Sequence, residues 1–303
     1  MKRKLILTAM VFSLCISSSY SASKGTSGAQ FLKVIAAPRV AALAGTYAAV
    51  NDDVNSIVCN PAGLAGLQKK EVVLVQNNWI QDIANQYFAY GMPIGKAGTL
   101  GVSVIMLSVK DINKVNNSAV AQGTYGTADT AVSLAYAAKL GEKLSVGLNA
   151  KSISSKIDDV SASAMAADIG GQYKASEKLN IGLVAENVGT ELKFIAEGDP
   201  LPMLIKLGGA YTVAGTFLLA LDVNSPNDGD VYVGVGSEYC IAAGEKLVFP
   251  VRVGYRTGME TGGLSGLGTG AGILYNNLFG VDFAWTPVGD LGDSVKFGLR
   301  FIF

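Results

Sequence analysis

The chain has 303 residues, 50% of them hydrophobic and 16% charged, with 24 basic against 24 acidic side chains, 37 glycines and no histidine. Zero net charge offers nothing to nucleic acid. Without histidine there is no Ser-His-Asp triad, histidine metal site or histidine general base, so no catalytic residue, metal or cofactor is expected. The charged fraction lies below the roughly 25% of soluble domains. Yet past residue 20 no run approaches the roughly 20 apolar residues of a membrane helix, which leaves a soluble protein with a large core or a transmembrane barrel whose apolar residues alternate.

Residues 1–21 read as a secretory signal. Lys2, Arg3 and Lys4 precede an apolar run over 5–16 that is too short for a stable span, and Ser19 and Ser21 suit cleavage near Ser21/Ala22. Leu14 stands before Cys15 where a lipoprotein would carry a small residue, so Cys15 belongs to the discarded segment. Cys59 and Cys240 then remain. Export permits a disulfide between them, but two buried free thiols are the favoured reading.

Residues 22–69 do not alternate. GAQFLKVIAAPRVAALAGTYAAV, at 28–50, is Ala-rich with helical spacing, is broken by Pro38, and contains Arg39, so it is no membrane span. In NDDVNSIVCNPAGLAGL, at 51–67, Asp52, Asp53 or Asn55 can cap a short helix or bind a cation. Capping is favoured, since no second ligand cluster follows at fixed spacing. The segment is expected to form a short, partly helical hatch.

From residue 70 to 303 one pattern repeats: apolar and polar or small residues alternate for 8–12 positions, then turn. About fourteen segments start near 70, 84, 98, 127, 143, 161, 178, 202, 215, 230, 246, 265, 278 and 293. Tight connections at 95–98, 141–143, 176–178, 214–215, 243–246 and 276–277 alternate with longer ones at 110–126, 189–201, 224–229, 257–264 and 286–292. Short turns on one end and long loops on the other predict an all-β fold: a transmembrane antiparallel barrel of about fourteen strands in the cell outer membrane, short turns in the periplasm. A soluble sandwich would alternate too, but would not need Phe, Val, Leu and Trp on the outer face of nearly every strand. The last strand puts Phe297, Leu299, Phe301 and Phe303 on one face, resembling the terminal signature read by the barrel assembly machinery.

If the apolar face meets outer-membrane lipid, the other lines the lumen. Its charges are Lys151, Lys206, Arg252, Arg256, Lys296 and Arg300 against Asp168, Glu186, Asp222, Glu238 and Asp282. Near balance predicts cross-linking ion pairs or a plug rather than selection of one ion sign. Gly266, Gly268, Gly270 and Gly272 share one face of a strand. They form either a groove for another backbone or a bent, twisted strand.

The stretch from residue 28 to 67, followed by Trp79 and Asp82, resembles the start of PorV/PorQ-family outer-membrane proteins, within the wider FadL-like group of fourteen-stranded barrels. The resemblance is close over about 28–110. In that group an N-terminal hatch fills the lumen and carries an Asn-Pro-Ala motif, matched here by Asn60, Pro61 and Ala62, with Gly63 following. The resemblance implies two functions. PorV-type members work with type IX secretion, receiving secreted proteins and handing them to secretion-system subunits for surface attachment; this reading leads narrowly. FadL-type members take up hydrophobic small molecules such as long-chain fatty acids and release them sideways or inward. That alternative needs a greasy pocket, to which the hatch can supply Phe31, Leu32, Val34 and Ile35. A porin would not require a hatch, and an adhesin or structural anchor would carry longer loops.

Overall fold

The computed structural model describes residues 24–80, 83–259 and 261–303. The expected signal peptide and Asp82 lie outside them. Strands β1 (Glu71–Asn78), β2 (Ala84–Pro93), β3 (Thr99–Val115), β4 (Ala121–Leu140), β5 (Leu144–Ile157), β6 (Val160–Lys174) and β7 (Leu179–Gly189) follow the hatch. A two-residue pair comes next, β8 (Leu192–Lys193) and β9 (Gly198–Asp199). Then come β10 (Leu204–Val213), β11 (Phe217–Pro226), β12 (Tyr232–Ala243), β13 (Leu247–Arg256), β14 (Leu267–Tyr275), β15 (Phe279–Pro287) and β16 (Asp293–Ile302). Fourteen of them pair antiparallel with their neighbours and close into a barrel, β10 meeting β7 across the small β8–β9 pair. At the seam Glu71 stands opposite Ile302, and Lys70 and Phe303 exchange backbone hydrogen bonds of 3.1 and 3.0 Å. No helix among the described residues is long and apolar enough to cross a membrane.

Alternation places the two faces. On β5 Leu144, Val146 and Leu148 are exposed on the outside, while Asn149, Lys151 and Ile153 are buried on the inside. Tyr136, Tyr173, Tyr211, Tyr239 and Tyr275 are exposed on the outer face near the short-turn ends, in the manner of an interfacial aromatic girdle. Phe279 and Phe301 pair across β15 and β16 with ring centroids 5.2 Å apart. Outer side chains this apolar are stable only against lipid, and closure leaves no unpaired strand edge, as a bilayer demands.

One expected loop is not a loop. The segment 110–126 continues β3 to Val115 and begins β4 at Ala121, paired through two register shifts, with only residues 116–120 turning. Above the apolar belt both faces of a strand meet water. The outer positions there are Gln122, Thr124 and Gly126, so the alternation that marks a strand disappears.

Inside the wall the hatch forms a 3-10 turn at Gln30–Lys33, a helix α1 at Pro38–Ala42, and 3-10 turns at Val54–Val58 and Pro61–Gly66. Pro38 occupies the first helical position, where its fixed φ suits the helix. Leu43, Tyr47, Val54, Ile57 and Leu64 are fully buried and form the core with inward wall residues such as Ala89, Ala135 and Ile153. The wall receives them on glycine. A Cβ on Gly182 would collide with the Ala48 carbonyl, one on Gly147 with Pro61, and one on Gly268 with the Ala41 carbonyl. The glycine face of β14 is thus a groove for α1 at Gly268 and Gly270; at Gly272 the crowding comes from Asp282 on the next strand instead.

Gly182→Val is expected to unseat the hatch while sparing the barrel, so that trypsin cuts the folded protein at Arg39. Gly171→Val, on the outer face with only ordinary contacts, serves as control. Equal resistance in both variants would contradict the seating of Ala48 on Gly182.

Candidate functional site

The hatch is fixed to the wall by one guanidinium. Arg39, buried on α1, grips Glu238 of β12 with Nε and Nη2 at 2.8 and 2.7 Å, and Asp52 with Nη1 and Nη2 at 2.6 and 2.9 Å. Nη1 also reaches Asp53 at 3.1 Å, and the guanidinium lies 5.8 Å from the Tyr47 ring centroid. Burial disfavours its charge, but the surrounding acids outweigh that and hold it firmly protonated. The network continues along the wall: Arg252 Nε to Glu238 and Arg252 Nη1 to Asp282, both 2.5 Å. Asp53 caps the Val54–Val58 turn by accepting from Asn55 N at 3.0 Å, and accepts from the Tyr47 hydroxyl at 2.7 Å.

A second anchor is the Asn-Pro-Ala segment. Asn60 Oδ1 accepts from Ala62 N at 3.1 Å while Nδ2 donates to the Ala48 carbonyl at 2.6 Å, so one side chain caps its own turn and ties it to the neighbouring hatch loop. Pro61 starts the turn and packs against Gly147; Ala62 and Gly63 are buried behind it. From the wall, Asp222 accepts from Tyr47 N and Ala48 N at 2.8 and 2.9 Å. Gln172 donates to the Ala48 and Val50 carbonyls, both at 3.0 Å. Backbone groups that the irregular hatch cannot satisfy itself are thus satisfied by wall side chains.

Six more inward charges fall into three pairs. Lys151 meets Asp168 and Lys206 meets Glu186, each at 2.8 Å, and Arg300 meets Glu71 at 2.9 Å. A bulge between β6 and β7 sets Asp168 opposite both Glu186 and Asn187, and Asn187 adopts φ +58°, a conformation asparagine tolerates. Asn187 N then donates to Asp168 at 2.8 Å. Among the described residues Arg256 and Lys296 have no carboxylate partner. The spacing gave no hint of Glu71 as a lumen acid, since it opens its strand, nor of Arg39 as the anchor, since its partners lie 13 to 199 residues away.

Two cavities lie on opposite sides of the hatch. At the long-loop end a cavity of about 400 Å³ is lined by Leu32, Val34 and Ile35 of the hatch, by Tyr87 and Ile105 of the wall, and by Met203. At the short-turn end a polar vestibule of about 530 Å³ is lined by Arg39, Asp52, Lys143, Lys174 and Glu177. Tyr87 also borders an outer groove formed by Leu74, Phe88, Val104, Met106 and Phe297, but the ladders β1–β2 and β2–β3 are unbroken there. Cys59 lines the outer cavity and Cys240 the vestibule; both are free thiols. Burial pushes the Cys59 thiol well up, so it is an apolar lining group and not a nucleophile. No cluster of His, Cys, Asp or Glu able to hold a metal occurs among the described residues.

The rim of the outer cavity is a latch. Asp228, in the loop between β11 and β12, accepts from Lys33 Nζ at 2.5 Å, from Gln30 Nε2 at 3.1 Å and from Ser27 Oγ. Burial raises its pKa, but these donors prevail and hold the carboxyl below the usual range. A depressed pKa gives stability that is complete above about pH 4, the ordinary aspartate value, and is lost only below it.

The model of an uncharacterised protein family, UPF0164, matches residues 8–227. No curated protein matches the chain. Similar solved structures include the CymD monoaromatic hydrocarbon channel, at 14% identity and TM-score 0.65 over 88% of this chain and 97% of that one. The toluene transporter TbuX of Ralstonia pickettii gives 13%, 0.59, 88% and 98%, and a Pseudomonas aeruginosa FadL homologue 9%, 0.56, 89% and 97%. At such identities the likeness is one of fold.

Arg39→Met removes one partner from a buried ionic network and leaves Glu238, Asp52 and Asp53 facing each other. A loss of about 3–5 kcal/mol is expected, read by urea unfolding, with conductance appearing in planar bilayers as the hatch loosens. Unchanged stability and a closed pore would show that the glycine seats alone hold the hatch.

Proposed function

The chain belongs to the uncharacterised protein family UPF0164, and we propose that it is an outer-membrane channel that takes up small hydrophobic molecules. The observation that carries this reading is the outer cavity. Its volume of about 400 Å³ falls in the range of ligand pockets, about 300–1,000 Å³. It opens toward the long loops, is floored by the hatch, and draws its apolar surface from Leu32, Val34 and Ile35 of the hatch together with Tyr87, Ile105, Met203 and Leu204. An apolar guest the size of a phenyl group gains about 1.5–3 kcal/mol on leaving water, an enrichment of about 10- to 160-fold that is too little to trap it. Apolar belt, tyrosine girdle and closed wall support residence in the cell outer membrane, with Phe297, Leu299, Phe301 and Phe303 offered to the barrel assembly machinery. The similar structures named as hydrocarbon and toluene channels support the reading by analogy of fold.

The guest must then pass a floor. Below it lies a polar vestibule, and the hatch between is held by Arg39, Asn60 and Asp222. Onward movement, sideways or inward, needs those contacts to shift. No chemistry is required of the protein in such passage.

Protein export and surface attachment, the reading that the PorV/PorQ resemblance puts first, stands second. It would suit a lumen charged and occluded throughout; here the outer half keeps an open cavity in which Lys151, Glu186, Lys206 and Arg256 stand beside the apolar side chains of hatch and wall, and an apolar ligand-sized surface has no use in export. Secreted proteins and secretion-system subunits are the partners it would require.

Saturable binding of toluene or decanoate to the purified barrel tests the proposal. Ile105→Trp, which fills the cavity without touching the hatch anchors, is expected to weaken that binding at least tenfold. Absence of saturable binding by either probe would overturn it.

A further inference from the structure

One tier of the lumen has donors with almost no acceptors. Lys296 on β16, Asn77 on β1 and Asn85 on β2 stand side by side, since Asn77 is the register partner of both others. All three are buried, Lys296 to 3% exposure and both asparagines to 0%. The Lys296 ammonium donates to two neutral hydroxyls, Thr286 Oγ1 and Ser294 Oγ, each at 2.8 Å. Ser294 Oγ donates in turn to Asn77 Oδ1 at 2.9 Å. Asn77 Nδ2 therefore has no partner among the described residues, and neither amide atom of Asn85 has one.

An ammonium carries three N–H bonds and each asparagine amide two. The free donors of this tier outnumber its one free oxygen, on Asn85. No carboxylate lies within ion-pair reach of Lys296 among the described residues, although Lys151, Lys206, Arg39, Arg252 and Arg300 all have one. Arg256, the other inward cation without a carboxylate partner among the described residues, adds no acid to this side of the wall. A buried, uncompensated charge costs several kcal/mol. A water molecule accepts from two of these donors but has two of its own to place; an anion only accepts.

We propose that Lys296, Asn77 and Asn85 form a buried site for a small monovalent anion, of the halide or carboxylate class. The site does not depend on the transport reading. Its anion supplies the counter-charge that Lys296 does not find among the described residues.

The full-length barrel, purified in detergent, is unfolded thermally in chloride, bromide, formate or sulfate at constant ionic strength, and crystallised with bromide. A saturable rise in Tm with the monovalent anions but not sulfate is expected, with an anomalous bromide peak beside Lys296 Nζ. Asn85→Ala removes one charge-assisted hydrogen bond and should weaken bromide about tenfold or more. Lys296→Met should abolish the anion dependence. Displacement of bromide by formate would assign the site to the carboxylate end of a guest, and bromide held against formate to a free halide. The same Tm in all four salts, with no bromide peak in the unaltered protein, would overturn the proposal.

Discussion

A single guanidinium inside a closed wall sets the architecture. The hatch is irregular backbone in a space shielded from water, and irregular backbone there must find its hydrogen bonds in the wall. Arg39 supplies the strongest tie, joining α1 to Glu238 on β12 and to Asp52 and Asp53 on the hatch's own next loop. With that point fixed, Tyr47 and Ala48 come within reach of Asp222, and Ala48 within reach of Asn60 and Gln172. Those contacts are short because Gly182 and Gly147 leave room for backbone where any side chain would collide. Ionic anchor and glycine seats are one device: the first chooses the position, and the second permits the approach.

The same device divides the lumen by polarity. Arg39 and Asp52, with Lys143, Lys174 and Glu177 near the short turns, make the inner half a polar vestibule. The hatch's apolar side chains, Leu32, Val34 and Ile35, turn the other way and make the outer cavity. A strand wall rich in glycine, alanine and serine could not have made it alone. The element that blocks the pore thus also lines the outer cavity, so that, under the proposed function, loading and opening can be linked through it.

Much of this was legible in the sequence. Period-two alternation belongs to each strand separately, so fourteen strands, their faces and nearly all their starts could be read locally. It failed where its physical cause fails: beyond the apolar belt, at residues 110–126, both faces of β3 and β4 meet water and the pattern ends. The Asn60-Pro61-Ala62 segment could be located, but its partners, Ala48 and the β6 backbone, could not. Arg39 was visible only as a charge that forbids a membrane helix, because Glu238 lies 199 residues away and no periodicity spans that distance. The cavity was the hardest to foresee. Strand faces suggested a lumen small and charged throughout, and only the folding of the hatch separates the apolar half from the polar one.

The central claim is that this barrel holds a small apolar guest above its hatch. Native mass spectrometry of the protein, extracted gently from its own outer membrane, tests it most directly. The account predicts a bound small apolar molecule that is lost from the Ile105→Trp variant. A barrel that is empty in both, or that carries a secreted polypeptide in place of a small molecule, would contradict it.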